Sequence, residues 1–326
     1  MNKMFSCFFV LCFFFPLPNN LWAQSITVTL LGTGAPQPTI ERFGAATLVE
    51  AGGTYFLFDC GRGTTQRLWQ QKIGMGKVNH LFITHLHSDH VVGLPDFWLL
   101  GLMPAAFGSR KQPLQVWGPA GTEEMMQGLR TAFQWDIKIR INEYPGADSG
   151  TVVKAQNIQE GVVYEKDEVK VTAFWVNHSD IIDSALGYRL DYKGRSVVIS
   201  GDTRYSENLI RHARNVDVLI HEVIAVQEEL MATSPMARKI TNFHTTPEDA
   251  GKVFLLTKPR LAVYTHVATP PIDPSKPPVS RKDIIKRTKQ FYSGQLVVGE
   301  DLMVIEIGDT IDIKQRKTEQ QTIAQH

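Results

Sequence analysis

Cysteine is scarce in this chain of 326 residues, and only one of its three cysteines, Cys60, lies beyond residue 23. Residues 1–23 have the features of an export signal, because Lys3 precedes a Phe-rich apolar stretch and the small residue Ala23 precedes a polar one. Cleavage after Ala23 would leave Cys60 alone, which excludes an intrachain disulfide in the mature protein. The sequence therefore predicts a periplasmic or secreted protein whose fold does not depend on disulfides.

Long apolar runs are also missing. Pro16 and Pro18 interrupt the N-terminal apolar stretch well short of the roughly 20 apolar residues that a membrane-spanning helix needs. This interruption favours a cleaved signal over an uncleaved membrane anchor. We therefore expect no stable membrane insertion of the mature protein.

An excess of charge of either sign is the third absence. The chain has 34 Lys and Arg residues against 33 Asp and Glu residues, which gives a formal net charge of +1. Proteins that bind nucleic acids usually carry a basic stripe along one face or element. Because no such stripe is evident in the sequence, we expect no nucleic-acid partner.

The mature chain shows no internal repeat and no charged linker, so residues 24–313 are predicted to form one large domain, followed by a polar tail at 314–326. Short β-rich segments such as Ile26–Leu31 outnumber helical patterns early in the chain, and mixed units follow. The clearest helix start lies at Thr246, where a capping residue precedes a proline and two acidic residues. This order of elements predicts an α/β fold in which two sheets pack face to face under helices.

The most informative segment is Thr84–His90, which places His85, His87, Asp89 and His90 within six positions. It follows the apolar run 78–83, which is typical of a buried strand. Imidazole and carboxylate groups are the non-thiolate ligands that zinc prefers, and one turn can direct all four towards one point. The alternative, four polar residues in a solvated turn, is disfavoured because ligand-type side chains behind a core strand need a partner. The segment indicates a metal site.

Three further residues lie just past the ends of predicted strands, namely His178, Asp202 and His266. Loops at strand ends commonly carry site residues on a rigid base. Each residue taken alone would more often be structural. Their matching positions, together with the first cluster, favour a shared role in the metal site.

These motifs resemble those of the metallo-β-lactamase superfamily, whose signature H-x-H-x-D-H is matched by the residues from His85 to His90. The resemblance implies a four-layer αββα sandwich and two Zn²⁺ ions per chain, although Mn²⁺ and Fe²⁺ also tolerate such ligands. It also implies that Asp59 supports the metal-binding loop from behind. The implied zinc ligands are His85, His87 and His178 for the first ion, Asp89, His90 and His266 for the second, and Asp202 as a bridge between them.

Within the superfamily, several motifs resemble the tRNA 3′-processing endonuclease branch and the exported arylsulfatases and phosphodiesterases that share them. These motifs are Leu31–Pro36, Gly201–Arg204, His221–Glu222 and His244–Glu248. The resemblance implies that Asp89 accepts a hydrogen bond from the nucleophile. His244 is the candidate proton donor for the leaving group, with Glu222 orienting it, although capping or packing roles remain alternatives for both residues. Arg204 is assigned either a contact with an anionic ester or a surface role.

The resulting prediction is an exported dinuclear zinc hydrolase that cleaves sulfate or phosphate esters of small molecules with a zinc-activated hydroxide. The export signal argues against the tRNA enzyme. So does the 24-residue spacing from His178 to Asp202, which leaves room for one hairpin and for no tRNA-binding arm. The apolar segment Trp98–Arg110 and the proline-rich segment Pro270–Pro278 are predicted to form the walls of the substrate pocket.

Alternative functions remain open at this stage. They are a tRNA 3′-processing endoribonuclease, a lactone or β-lactam hydrolase, and a binding module that has lost its chemistry. A homodimer is compatible with the resemblance. Gly32 and Gly34 are not a dinucleotide fingerprint, because Pro36 and Pro38 prevent the helix that would have to begin there. The residues interpreted as structural are Cys60, His80, His212 and His326.

Overall fold

The computed structural model describes residues 25–144, 148–182 and 184–315. The predicted export signal at 1–23 lies outside the described residues, as do 316–326 of the predicted tail. Lys314 and Gln315, also assigned to that tail, belong to the last strand. None of the helices in the described ranges has both the length and the apolar character needed to cross a bilayer.

The strands of the described residues form two sheets. In chain order they are β1 (Ile26–Gly32), β2 (Ala46–Ala51), β3 (Thr54–Phe58), β4 (His80–Phe82), β5 (Leu114–Gly118), β6 (Val153–Asn157), β7 (Gly161–Lys166), β8 (Val169–Val176), β9 (Ala185–Tyr192), β10 (Arg195–Ile199), β11 (Val218–Ile224), β12 (Leu261–Ala268), β13 (Leu296–Val298), β14 (Met303–Ile307) and β15 (Ile311–Gln315). The first sheet has the order β15-β14-β1-β2-β3-β4-β5-β6, and the second has the order β13-β12-β11-β10-β9-β8-β7.

The helices connect strands of both sheets. They are α1 (Thr64–Gln70), α2 (Ser88–Val91), α3 (Leu94–Leu100), α4 (Thr122–Ala132), α5 (Gln134–Glu143), α6 (Asp148–Thr151), α7 (Glu207–Ala213), α8 (Glu228–Thr233), α9 (Pro235–Thr241), α10 (Pro247–Thr257) and α11 (Arg281–Thr288). The helix start predicted at Thr246 is confirmed, since its side chain accepts a hydrogen bond from the backbone N–H of Asp249 and Pro247 occupies the first turn.

The two sheets bury a central apolar core between them. Fully buried aromatic residues join them: Phe82 of the first sheet packs edge-on against Tyr188 of the second, with 5.5 Å between ring centroids. The Tyr188 hydroxyl also donates a hydrogen bond to the carbonyl oxygen of Ile83. Two further apolar clusters lie outside the sheets, one under α1, α3 and α4 and the other under α7, α10 and α11. The expected αββα sandwich is therefore confirmed.

Several elements were not anticipated from the apolar pattern. The clearest is α5, in which no residue is buried and Trp135 is 69% exposed. A helix without a buried stripe leaves no periodic signal in the sequence. The strand predicted from the apolar run 78–83 is also shorter than expected, because only His80–Phe82 pair as β4. The two residues after Phe82 lead directly into the metal-binding segment.

Candidate metal centre

The metal-ligand candidates lie where strands of both sheets end at the same edge of the sandwich. His85 and its neighbours follow β4, His178 follows β8, and Asp202 follows β10. His266 lies within β12 at a β-bulge, where the pairing with β11 passes from Thr265 directly to Val267. Its backbone is in the left-handed region with φ of 43°, which is unusual for a residue other than glycine. The bulge takes His266 out of the strand pairing at the level of the other candidates.

Asp202 is the centre of this arrangement. Its Oδ2 atom lies 3.5 Å from the Nε2 atoms of both His90 and His266. The same oxygen lies 3.9 Å from His85 Nε2 and 4.0 Å from His178 Nε2. Burial raises the pKa of the Asp202 carboxyl, but His266 and His90 outweigh this effect and hold the pKa well below its usual range. A charged carboxylate among four imidazoles has the position expected of a bridging ligand.

The candidates fall into two triads. In each triad, the potential ligand atoms lie within 4.8 Å of one another. His87 Nδ1 lies 3.0 Å from His85 Nε2 and 3.2 Å from His178 Nε2. His266 Nε2 lies 3.2 Å from Asp89 Oδ2. The triads are those predicted from the sequence: His85, His87 and His178, and Asp89, His90 and His266.

The donor set fits divalent cations. Within the described part of the chain, His90 Nε2, Asp202 Oδ1 and His266 Nδ1 are buried atoms without a hydrogen-bond partner. Leaving such atoms unpaired costs free energy, and a cation in the centre would satisfy His90 Nε2 and Asp202 Oδ1. Neutral imidazole and carboxylate donors suit zinc and related divalent metals.

Asp59 supports the centre from behind, as the resemblance implied. Its carboxylate accepts hydrogen bonds from the backbone N–H of Thr84 at 2.8 Å and from the Thr84 hydroxyl at 2.9 Å. The same carboxylate lies 2.8 Å from His90 Nδ1. Burial lowers the pKa of His90, but Asp202 and Asp59 outweigh it and raise the pKa well above its usual value. A carboxylate on the outer nitrogen orients the ring and leaves the inner nitrogen for a metal.

His178 has a comparable support that sequence reasoning missed. Its Nδ1 atom lies 2.8 Å from the backbone carbonyl oxygen of Phe243, just before His244. A backbone acceptor leaves no residue-type signal in a sequence, so this contact could not have been found in that way. It couples the ring orientation of His178 to the segment that carries His244.

His244 and Glu222 form a pair beside the triads. His244 Nδ1 lies 3.1 Å from Glu222 Oε1 and 3.8 Å from Asp202 Oδ2. Glu222 is 1% exposed, and the same oxygen accepts hydrogen bonds from the backbone N–H groups of Thr203 and Thr245. Burial lowers the pKa of His244, but the Glu222 carboxylate outweighs it and raises the pKa to about 9. Glu222 is therefore placed to orient His244.

The remaining candidates have surface or packing positions. The Arg204 guanidinium pairs with the exposed Asp180 at 2.9 Å, which favours the surface role. Cys60 is buried and free, and burial raises the pKa of its thiol. His212 stacks on Phe174, with ring centroids 4.5 Å apart. His80 lies within an aromatic cluster, whereas His326 lies outside the described residues.

A cavity of about 400 Å³ opens beside His244 and His266. Pro270 and Pro271 line one side of it, as expected for the proline-rich segment. The expectation for Trp98–Arg110 is wrong: Trp98 is fully buried in the core, and Arg110 is buried with its guanidinium donating to the carbonyl oxygens of Val78 and Met75. Apolar character in that segment serves packing rather than the pocket.

Comparison with known proteins places these observations in a family. A family model described as a beta-lactamase superfamily domain matches residues 54–267. The Ribonuclease Z of Mycolicibacterium gilvum (strain PYR-GCK) is 33% identical over 284 residues, which cover 86% of this chain and 96% of that protein. The Ribonuclease Z of Mycobacterium avium (strain 104) is 34% identical over 284 residues, which cover 86% and 98%.

Solved structures share the fold. The crystal structure of the short form of human tRNase Z superposes with a TM-score of 0.61 and 23% identity, covering 86% of this chain and 98% of that one. The metallo-beta-lactamase fold protein YhfI from Bacillus subtilis superposes with a TM-score of 0.67 and 18% identity, covering 87% of this chain and 100% of that one.

These findings overturn the predicted ester hydrolase. The Ribonuclease Z relatives align over nearly their whole length, so the prediction of an arylsulfatase or phosphodiesterase that acts on small-molecule esters is wrong. The described part of the segment between His178 and Asp202 does form one hairpin, β9 and β10. A short connection there excludes a long arm at that place, and it does not exclude ribonuclease chemistry at the metal centre.

Two further expectations fail for the same reason. The exclusion of a nucleic-acid partner is contradicted by relatives that are named as ribonucleases, and a balanced net charge does not report how charge is distributed over a surface. The same relatives contradict the expected periplasmic or secreted localisation. That expectation came from the predicted export signal, which was also used as an argument against a ribonuclease. The homodimer remains a prediction.

The match to the family model, the relatives of 33–34% identity and the shared fold all indicate the same family. This family also agrees with a donor set suited to divalent metal ions. The chain belongs to the metallo-β-lactamase superfamily, in the branch that contains ribonuclease Z, and it is a metal-dependent hydrolase.

Proposed function

We propose that the protein is a metal-dependent endoribonuclease of the tRNA 3′-processing type. The observation that carries this proposal is the match to proteins named Ribonuclease Z over 86–89% of this chain and 96–99% of theirs. A match of that extent includes both triads and the segment that carries His244. The similarity therefore extends over the whole domain that carries the proposed site and is not limited to one motif.

The proposed metal ligands are the seven residues of the two triads and their bridge, together called the metal centre: His85, His87, Asp89, His90, His178, Asp202 and His266. Zinc is the proposed metal, because the donors are only imidazole nitrogens and carboxylate oxygens around two adjacent positions. When bound, two divalent ions supply a water of lowered pKa and positive charge for the phosphate.

The chain's own residues supply positioning and proton transfer. Asp89 is buried beside His266, and we assign its carboxylate as acceptor of a hydrogen bond from the attacking water. The hydrogen bond with Glu222 occupies His244 Nδ1. The other ring nitrogen, Nε2, then remains for the substrate, and we assign His244 as the proton donor to the leaving ribose oxygen. His244 lines the cavity described above, which gives the substrate access to its side chain.

The test is cleavage of a precursor tRNA with a labelled 3′ trailer by the purified, zinc-loaded protein. We expect one cut that releases the trailer, and a far slower cut with Asp202→Asn. An unstructured RNA with the same trailer sequence serves as the comparison substrate, since a tRNA-processing enzyme should cleave it far more slowly. An intact precursor after prolonged incubation with the metal-loaded wild type would overturn the proposal.

A further inference from the structure

The cavity beside His244 has a predominantly apolar wall. Its apolar lining residues include Pro36, Ile224, Ile240, Val267 and Pro270. Its volume of about 400 Å³ is in the range of pockets that enclose small organic groups. Flat, partly apolar groups suit such walls. The charged side chains of the lining are the two histidines and Arg42, and the Arg42 guanidinium already donates to the Thr33 hydroxyl and to the carbonyl oxygen of Gly299.

The cavity is directly connected to the metal centre. His266, a proposed metal ligand, and His244, the proposed proton donor, both belong to its lining. A group that fills the cavity must therefore be attached close to the reacting phosphorus atom. In a phosphodiester, the groups attached on either side are nucleosides, and each carries one flat base.

A second cavity of about 440 Å³ lies across Pro36, which lines both cavities. Its lining is also largely apolar, but it carries the polar side chains of Arg62, Ser88, Asp89 and Asp96. The loop that carries Pro36 therefore borders both cavities.

The shared wall is held firmly in place. Thr33 and Phe43 each donate a backbone N–H to the carboxylate of Asp301, which also pairs with Arg67 at 2.9 Å. We call these four residues the Asp301 network. In addition, Arg42 donates to the Thr33 hydroxyl and to the carbonyl oxygen of Gly299. The loop between Thr33 and Phe43, which includes Pro36, is therefore fixed at both ends before any ligand arrives.

We propose that the apolar cavity receives the nucleobase of one of the two nucleotides that adjoin the scissile phosphate. This inference rests on the proposed ribonuclease function and adds a substrate subsite to it. Aliphatic side chains bury the flat face of a base and offer no hydrogen-bonding groups to its edge. The subsite therefore requires a base but tolerates any of the four.

The first experiment needs only the wild-type protein and a set of precursor tRNAs. Each precursor carries either the natural nucleotide or an abasic one, immediately before or immediately after the cleaved bond, and kcat/KM is measured for each. We expect an abasic nucleotide at one of the two positions to lower kcat/KM about 10-fold or more, because the apolar surface that the base would bury against the wall then stays exposed to water. Exchange among the four bases at that position should change kcat/KM by less than about 3-fold, since each offers a similar face.

The second experiment fills the cavity. Ile240 lies in α9, and Ile240→Trp adds bulk to the cavity wall. This variant should cleave the natural precursor more slowly. It should cleave the abasic precursor, which does not use the cavity, at the wild-type rate. The difference between the two substrates should therefore disappear. Met236→Trp is the matched control, because Met236 lies in the same helix, is 59% exposed and does not line the cavity. It should retain the full difference.

The possible outcomes distinguish failure of the base subsite from failure of the proposed ribonuclease function. Cleavage of every precursor with abasic effects below about 2-fold at both positions would overturn the base subsite and leave the ribonuclease in place. An abasic effect that Ile240→Trp retains as fully as Met236→Trp would place base recognition elsewhere and also overturn it. If Ile240→Trp is misfolded, its rate on the abasic precursor falls too, and the wild-type series then decides. Failure of the wild type to cleave any precursor would overturn both proposals.

Discussion

The metal centre, apart from the exposed His87, and the Asp301 network are both largely buried and polar. Both join distant parts of the chain, yet their hydrogen bonding differs. In the Asp301 network, one carboxylate oxygen accepts from Thr33 and the other from Phe43 and Arg67. In the metal centre, buried nitrogen and oxygen atoms of three of the seven residues have no such partner. The first arrangement is complete without a ligand, whereas the second is not.

This difference teaches how to separate a structural polar cluster from a functional one. Burial alone does not distinguish them, because Asp202 and Asp301 are both almost inaccessible to solvent. Full pairing of a buried carboxylate indicates a role in stability, whereas unpaired atoms among ligand-type side chains indicate a missing partner. Substitutions in the two regions should therefore have separable effects.

The largest expected effect comes from Asp202→Asn. Replacing the carboxylate between the triads should reduce cleavage of precursor tRNA roughly 1000-fold, because the several kcal/mol that metal ions contribute correspond to about three factors of ten in rate. Metal content by mass spectrometry should fall as well, while far-UV circular dichroism stays unchanged. Near-normal activity in this variant would show that Asp202 is not a ligand and would remove the contrast between the two regions.

Arg67→Met should have the opposite profile. It leaves the Asp301 carboxylate buried without its cation, and breaking such a pair costs about 3–5 kcal/mol of unfolding free energy. Denaturant titration measures this loss, and metal content should remain that of the wild type. The double variant Arg67→Met with Asp301→Asn is the control, since removing both charges should cost less than the sum of the single changes. Loss of bound metal from Arg67→Met would contradict the separation.

Chelation sharpens the comparison without altering the centre by mutation. If ions are present at about 100 times their dissociation constant, their removal should lower the unfolding free energy by roughly 2–3 kcal/mol. The loss should be equal in the wild type and in Arg67→Met, and it should be absent in Asp202→Asn. Thermal unfolding with and without chelator measures it, and an equal loss in all three proteins would locate the stabilising ion outside the metal centre.

His80 lies in β4, the strand that precedes the metal-binding segment, but it does not belong to the metal centre. Burial in the cluster of Phe56, Trp117 and Tyr164, with a smaller effect of Lys166, lowers its pKa to about 4. Because the unfolded chain binds this proton near pH 6.5, the stabilising effect is present above that value and is lost as the pH falls towards 4. His80→Phe should remove about 1–2 kcal/mol of the pH dependence in this window.

The quantity to measure is the difference in unfolding free energy between the wild type and His80→Phe, obtained by denaturant titration from pH 7.5 to 4. Titration of the metal centre contributes equally to both and cancels in that difference. Parallel stability curves for the two proteins would show that His80 does not titrate as its surroundings indicate.

The smallest effect should come from Arg204→Ala. Its partner Asp180 is exposed, and exposed ion pairs contribute about 0–1 kcal/mol. We expect activity on precursor tRNA within about 3-fold of the wild type and stability within about 1 kcal/mol. A variant whose Michaelis constant for the precursor rises about 10-fold or more would instead establish the contact with an anionic substrate that the sequence left open.

Much of the fold and of the site could be predicted from the sequence. The segment from His85 to His90 is visible because its ligand-type residues are close together in the chain and follow an apolar strand. His178, Asp202 and His266 are recognisable because each follows or interrupts a strand, and the structure brings all three to the same edge of the sandwich. Their roles as ligands remain predictions until metal is measured.

Other features could not be predicted, for identifiable physical reasons. The support of His178 by Phe243 comes from a backbone carbonyl, which every residue has. The wall of the cavity joins Pro36 with Val267, which are far apart in the chain, and apolar residues at such positions resemble core residues. Trp98 shows the converse error, because an apolar segment expected at the pocket is fully buried in the core.

Ligand chemistry was determined by the sequence itself, since imidazole and carboxylate groups keep their preference for divalent cations wherever the chain carries them. Tertiary structure alone decided which of these groups share one centre and which polar pairs are complete without a metal. It also decided where an apolar cavity meets the proposed proton donor. These properties depend on distances between residues that are far apart in the chain, and only the packing of the two sheets sets those distances.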